Sequence, residues 1–202
     1  MLILVASAAS AQQKAVTDTG EDVFLYDDGT WRYAEERADV PTDIATNPKE
    51  FSKPAKASFL VKSTIVKNGV WIDQKKWTFR KATNNESAEF EFQLKDGDLY
   101  GMLIAEKIEI PLITLRKIAL DNARNAAPDI KVTKEEYRTV NGLKVLLLQM
   151  EGTMQGIKVA YYGYYFSDAN GTVQLITYTA QSLLPEHVSI SEDFLNGFVT
   201  LP

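Results

Sequence analysis

The chain has 202 residues, 45% of them hydrophobic and 24% charged, with a formal net charge of −5 at pH 7. These values place it among globular proteins whose core is large enough to fold without staples, and outside the disordered and fibrous classes. The acidic balance argues against a nucleic-acid binder, which carries a basic face, and against docking on an anionic membrane surface. The chain has no cysteine, which excludes disulfides, thiolate metal sites, cysteine nucleophiles and lipid attachment through an N-terminal cysteine.

Met1-Leu2-Ile3-Leu4-Val5-Ala6 is an apolar run, and Ala9-Ser10-Ala11 before Gln12 supplies the small residues of a signal-peptide cleavage site. No Lys or Arg precedes the run, and it is shorter than the about 20 apolar residues that span a bilayer. The expectation is a signal peptide at residues 1–11 and a periplasmic or secreted protein with no membrane span. A cytosolic chain with an alanine-rich start is the weaker alternative.

Residues 12–33 read as a small β-hairpin module. Val23-Phe24-Leu25-Tyr26 is one strand, Asp27-Asp28-Gly29-Thr30 the turn, and Trp31-Arg32-Tyr33 the return. Trp31 and Tyr33 share a face and can cover Val23 or Leu25. Clamping a marginal ribbon is the simplest use of these rings, and a small binding platform is the functional alternative. Residues 34–57 hold Pro41, Pro48 and Pro54 among polar residues, with Val40, Ile44 and Phe51 as their few large apolar groups, and read as a linker.

The main domain is expected at residues 58–202. Residues 59–66 are β-rich, Asn68-Gly69 has turn chemistry, and short strands follow at 70–73 and 77–80. Residues 89–94 alternate polar and apolar side chains as a half-buried strand does, and Asp96-Gly97-Asp98 turns into an apolar run at 99–105. From Pro111 the period changes: Leu115, Ile118, Ala119, Ala123 and Ala126 form one stripe of a helix over 111–126. In this reading Thr114 is its N-cap, Arg116, Lys117, Asp121 and Arg124 point away from the stripe, and Pro128 stops it. Strands at 143–151, 156–166 and 172–180 then form an antiparallel meander. Their apolar residues fall on both alternating sets, Val145 and Leu147 against Leu146 and Leu148, as in a sheet covered on both sides. Ser191 with the acids that follow it reads as the start of a terminal helix over 191–198.

This order of elements, with Asn141-Gly142-Leu143 opening the meander, Gly171-Thr172-Val173 starting its last strand and Phe194-Leu195-Asn196-Gly197-Phe198 at the end, resembles the PsbP-like superfamily over residues 58–201. The sequence from Gly20 to Tyr33, with Asp28-Gly29-Thr30-Trp31 at its centre, resembles a short "DGTW" hairpin module of bacterial exported proteins. The first resemblance implies an α+β fold: an antiparallel sheet covered by helices on both faces, an α/β/α sandwich, here with an N-terminal β-hairpin appendage. It also implies a mostly non-enzymatic class of extrinsic subunits, small-GTPase binders and envelope adaptors. No residue-specific motif of any branch is present, so no site is carried over.

The chemistry-bearing residues support the same class. His187 is the one histidine, flanked by Glu186, Ser189 and Ser191, with no nucleophile elbow; it reads as a surface residue in a loop before the last helix, and a hydrolase built on it is a remote alternative. No metal site is expected from one histidine, and the acids at 96–98 and 168–171 sit where hairpin turns are needed. Glu89 with Glu91 and Glu135 with Glu136 could pair for acid–base work but read as exposed strand acids. No cofactor is expected. Within residues 161–166, Tyr161 and Tyr165 fall on one face and Tyr162, Tyr164 and Phe166 on the other. Core packing is the first reading of these rings, while the hydroxyls of Tyr162 and Tyr164 are candidates to rim a ligand or partner groove. The expected function is therefore an exported binding or adaptor protein that recognises another envelope protein. A small-ligand or cation carrier, with its cleft near Tyr162 and Tyr164, is the alternative.

Overall fold

The computed structural model describes the strands β1 (Gln12–Val16), β2 (Asp22–Tyr26) and β3 (Trp31–Tyr33), together with residues 43–83 and 85–202. The chain divides into two units, Met1–Thr42 and Asp43–Pro202. In the first, β2 pairs antiparallel with both neighbours in the order β1-β2-β3, which sets Val23 opposite Tyr33 and Leu25 opposite Trp31. The segment read as a two-stranded hairpin thus has a third strand. A lone ribbon is marginal, and β1 gives β2 a second complete ladder. The expected signal peptide at 1–11, the turn at 27–30, the linker residues 34–42 and the side chains of Trp31 and Tyr33 lie outside the described residues.

The second unit is a mixed α+β fold. Its elements are β4 (Thr46–Phe51), β5 (Phe59–Lys62), β6 (Asn68–Ile72), β7 (Trp77–Lys81), β8 (Phe90–Leu94), β9 (Tyr100–Glu106), α1 (Leu112–Ala126), β10 (Lys131–Val140), β11 (Leu143–Met154), β12 (Ile157–Asp168), β13 (Gly171–Ala180), α2 (Leu184–Leu195) and β14 (Phe198–Thr200). An eight-stranded sheet runs β4-β10-β11-β12-β13-β9-β8-β7, and a three-stranded sheet runs β14-β6-β5. Tight hairpins set the register of the central strands. Asn141 and Gly142 (φ 50° and 81°) join β10 to β11, and Gln155 and Gly156 (φ 50° and 80°) join β11 to β12. Two successive left-handed residues give the primed turn whose twist matches paired strands.

Alternate residues of β11 enter different cores, because a strand points successive side chains to opposite faces. Val145 and Leu147 pack in the cluster that holds Leu184, Phe194 and Leu195 of α2. Leu146 and Leu148 pack with Leu115 and Ala119 of α1. The tyrosines divide in the same way: Tyr162, Tyr164 and Phe166 join the first cluster, and Tyr165, with Tyr161 at its margin, joins the second.

Several local expectations are corrected. Residues 46–51, inside the expected linker, form β4, the parallel edge strand beside β10. Ile44 and Phe51 are buried, and two apolar anchors a strand-length apart are enough to order an otherwise polar segment. Asn68-Gly69 is in β6 instead of a turn. Gly69 lies between Lys62 of β5 and Val199 of β14, and a Cβ there would stand 2.7 Å from the Val61 carbonyl oxygen. Helix α1 starts after Pro111 with no side-chain cap, so Thr114 is an exposed residue of its first turn. Arg116, expected to face away, is buried and bonds Glu135 of β10 through Nε (2.5 Å) and Nη2 (3.1 Å). Its aliphatic stem crosses the apolar stripe and delivers the guanidinium to the carboxylate.

The terminal helix begins earlier than its sequence signals. Residues 181–183 form a 3-10 turn, and Pro185 and Glu186 occupy the first turn of α2, where a missing N–H and a negative charge are both favourable. His187 is therefore helical and Ser191, read as a cap, is a buried residue of the helix interior. Helix α2 ends before Gly197, where a Cβ would lie 2.0 Å from the Trp71 carbonyl oxygen, and Phe198 leaves it as strand β14.

Candidate functional site

The α2 side of the large sheet carries a buried polar cluster centred on Arg138 of β10, a residue the sequence reading did not single out. Arg138 is 3% exposed. It shares a face with Glu136 and Val140, because strand residues two apart point the same way. Its Nε donates to Glu136 Oε1 at 2.6 Å, and its Nη1 to Glu192 Oε1 of α2 at 2.8 Å. The same group donates to the Tyr164 hydroxyl at 3.2 Å, and Nη2 to the Tyr162 hydroxyl at 3.4 Å. The two tyrosines pass their own protons on: Tyr162 donates to Glu192 Oε1 (2.7 Å) and Tyr164 to Asn196 Oδ1 (2.8 Å). From the edge strand, Asn47 Nδ2 donates to Glu136 Oε1 at 3.2 Å, and the Phe51 ring lies 4.4 Å from the guanidinium carbon.

The electrostatics follow from that arrangement. Burial would raise the carboxyl of Glu192, but the Tyr162 hydroxyl and Arg138 outweigh it and hold the group below its ordinary range. Glu136 is likewise lowered against burial, by Arg138 and Asn47. Burial pushes Tyr164 up to about 12, with Arg138 opposing, and raises Tyr162 as well, with Glu192 adding to the rise. Burial also opposes the charge on Arg138, yet its hydrogen bonds keep it protonated. The cluster is a charged guanidinium held between two carboxylates and two neutral phenols, each used on another member.

Tyr162 and Tyr164 therefore lie together on the α2 face, as their spacing required, but both are 1% exposed and rim no groove. Their spacing alone carried the signal that was available: phenols two apart on a strand apolar on both faces must find buried hydrogen-bond partners. Trp31 and Tyr33 are brought opposite Leu25 and Val23 by the β2–β3 register.

On its other side, α2 helps form a shallow cleft with room for about 40 Å³. Pro54, Lys56 and Ala57 of the β4–β5 connection, Trp71 and Asp73, Lys76 and Trp77, and Ile190, Asp193 and Phe194 line it. Lys53 Nζ sits 5.2 Å from the Trp71 ring centroid and donates to the Ala57 carbonyl at 2.9 Å. Beneath, the ring centroids of Phe194 and Trp77 are 4.5 Å apart, and those of Phe194 and Phe92 are 5.0 Å apart. Glu192 and Asp193 thus split their tasks: the first turns inward to Arg138, and the second is exposed at the cleft.

Glu89, Glu91, Glu135 and Asp168 have structural partners. Glu89 accepts from the Ser63 hydroxyl (2.6 Å) and from the Thr64 amide and hydroxyl (2.6 and 2.8 Å). Glu91 pairs with Arg80, and Glu135 with Arg116. Asp168 accepts the Asn170 amide within its turn. His187 Nδ1 and Ser191 Oγ are both buried without a hydrogen-bond partner, so the two do not form a Ser–His pair. Among the described residues no group of three or more His, Asp or Glu is placed to hold a metal ion, and no helix is long and apolar enough to cross a membrane.

No family model and no curated protein matches the sequence. Comparison with solved structures finds the solution structure of cyanobacterial PsbP (CyanoP) from Synechocystis, at 11% identity and a TM-score of 0.52, over 70% of this chain and 91% of that one. PA94 of Pseudomonas aeruginosa, a protein of unknown function described as a putative regulator, matches at 15% identity and a TM-score of 0.46, over 71% and 97%. LpqN, described as involved in cell envelope biogenesis of Mycobacterium tuberculosis, matches at 11% identity and a TM-score of 0.39, over 75% and 82%. At these identities the likeness concerns the fold, and the fold of this chain is PsbP-like.

Proposed function

We propose that this chain is an exported, non-enzymatic binding protein of the bacterial envelope: an adaptor that recognises another protein through its surface. The observation that carries this reading is the way its buried polar groups are used. Arg138, Glu136, Glu192, Tyr162 and Tyr164 satisfy one another, which leaves recognition to the periphery. We read the large sheet as covered by α1 on one face and α2 on the other, a PsbP-like α/β/α sandwich over 58–201 behind the N-terminal β module. In such an architecture only strand edges, loops and outer helix surfaces meet other molecules. The apolar start and small-residue site at 1–11 support export to the periplasm or medium. Mild crosslinking in envelope preparations followed by affinity capture is expected to recover one reproducible protein partner. Recovery of background alone would overturn the reading.

A small-ligand carrier is less well supported. The space beside Tyr162 and Tyr164 is filled by Arg138 and Glu192, and the cleft at Trp71 offers about 40 Å³, against the ~300–1,000 Å³ of ligand pockets. Thermal-shift screening with ions and metabolites is expected to give no rise in Tm, because only a ligand of the native state raises it by mass action.

A further inference from the structure

We infer that the cleft between α2, β6 and the β4–β5 connection is where a partner docks, and that it takes an acidic segment with an apolar anchor; this rests on the adaptor reading above. The apolar floor is Trp71, Pro54 and Ile190, all partly exposed. Trp71 is held by its own amide, which donates to the Gly197 carbonyl at 2.8 Å, and by the close approach of that glycine to its carbonyl oxygen. These bonds hold the backbone at Trp71, Lys53 Nζ lies 5.2 Å from its ring centroid, and a large aromatic side chain is a usual interface anchor.

Charge supplies the second argument. The chain carries −5 overall, yet Lys56 and Lys76 line this cleft and Lys53 Nζ lies over its Trp71 ring, so that three lysines meet Asp73 and Asp193. Lys56 and Lys76 are exposed, and among the described residues neither forms an ion pair. Asp73 is occupied in its own turn, where Oδ1 accepts the Lys75 amide at 2.9 Å. Asp193 lines the cleft from α2. A partner carboxylate therefore pairs with Lys56 or Lys76, its amide N–H groups with Asp193, and an adjacent apolar side chain covers Trp71 and Ile190. The rim charges steer the encounter and select an acidic partner over a basic one.

The test is an NMR titration of the isotope-labelled full chain with the acetylated peptide Leu-Phe-Glu-Glu, with acetylated Leu-Phe-Lys-Lys amide as the control. The acidic peptide is expected to shift the Trp71 indole signal and the amides of Lys56, Asp73 and Ile190 saturably. The lysine peptide should leave them in place. K56E/K76E changes two exposed side chains and should keep the spectrum of the folded protein while weakening the acidic peptide about tenfold or more. Added salt should weaken it too. An unmoved Trp71 signal, equal shifts with both peptides, or full affinity in K56E/K76E would overturn the inference. Crosslinking capture with the same variant separates the two claims. A partner held equally by wild type and K56E/K76E sinks the cleft while the adaptor reading stands. Peptide binding at the cleft with no partner from wild type sinks the adaptor reading instead.

Discussion

The two core clusters that take alternate side chains of β11 differ in chemistry. On the α1 side, Leu115, Ala119, Leu146, Leu148 and Ile176 interlock around Tyr165, and the polar contribution is the pair of buried Arg116 with Glu135. On the α2 side, Trp77, Phe92 and Phe194 surround a core whose outer end is the Arg138 cluster. An aliphatic contact is non-directional and tolerates repacking, whereas a buried guanidinium fixes its neighbours by angle and distance. Arg138 ties β4, β10, β12 and α2 to one another. The α2 side is thus the one whose guanidinium joins four elements, whereas Arg116 on the α1 side joins α1 to β10 alone.

The largest expected effect comes from removing that guanidinium. Arg138→Met would leave Glu136 and Glu192 without their counter-ion and two buried phenols short of a partner, and should cost about 3–5 kcal/mol, read by urea unfolding. A loss near zero would mean that the α2 face is held by its apolar core alone. Next, Leu147→Ala and Leu148→Ala each remove a fully buried side chain, one from each face, at about 2–5 kcal/mol. Combined with Arg138→Met, Leu147→Ala on the α2 face should couple and Leu148→Ala on the α1 face should add. Equal coupling with both would erase the distinction between the faces.

A smaller effect is expected from pH. Glu136 and Glu192 are lowered from 4.5 in the folded chain, so the stability they contribute is present above that value and is lost as pH falls through their folded values. Tm should therefore drop steeply in acid below about 4.5, and Glu192→Gln should flatten the drop. The tyrosines act in the opposite direction: the stability from Tyr164 is present below 10 and is lost as pH rises toward its folded value of about 12. The smallest effect belongs to Thr114→Ala, within about 0.5 kcal/mol, since Thr114 is exposed and makes no cap bond.

The sequence by itself determined what depends on short-range pattern. Alternation at 143–148 placed Leu147 and Leu148 on opposite faces, and the stripe from Leu115 to Ala123 with Pro128 beyond it located α1, because period and breaker chemistry act within a few residues. The partition of Tyr162 from Tyr165 was legible for the same reason. Strand β10 was not: in Lys131–Val140 charged and polar residues hide the alternation, and Val140 is what marks Arg138 as facing the core. Strand β4 brings Phe51 to 4.4 Å from the Arg138 guanidinium, and α2 begins at Leu184, seven residues before the Ser191 signal, where Leu184 is itself buried. The site was decided by the tertiary structure alone. Arg138 lies 26 residues from Tyr164 and 54 from Glu192, and a buried charge chooses such partners by three-dimensional distance, which no local pattern encodes.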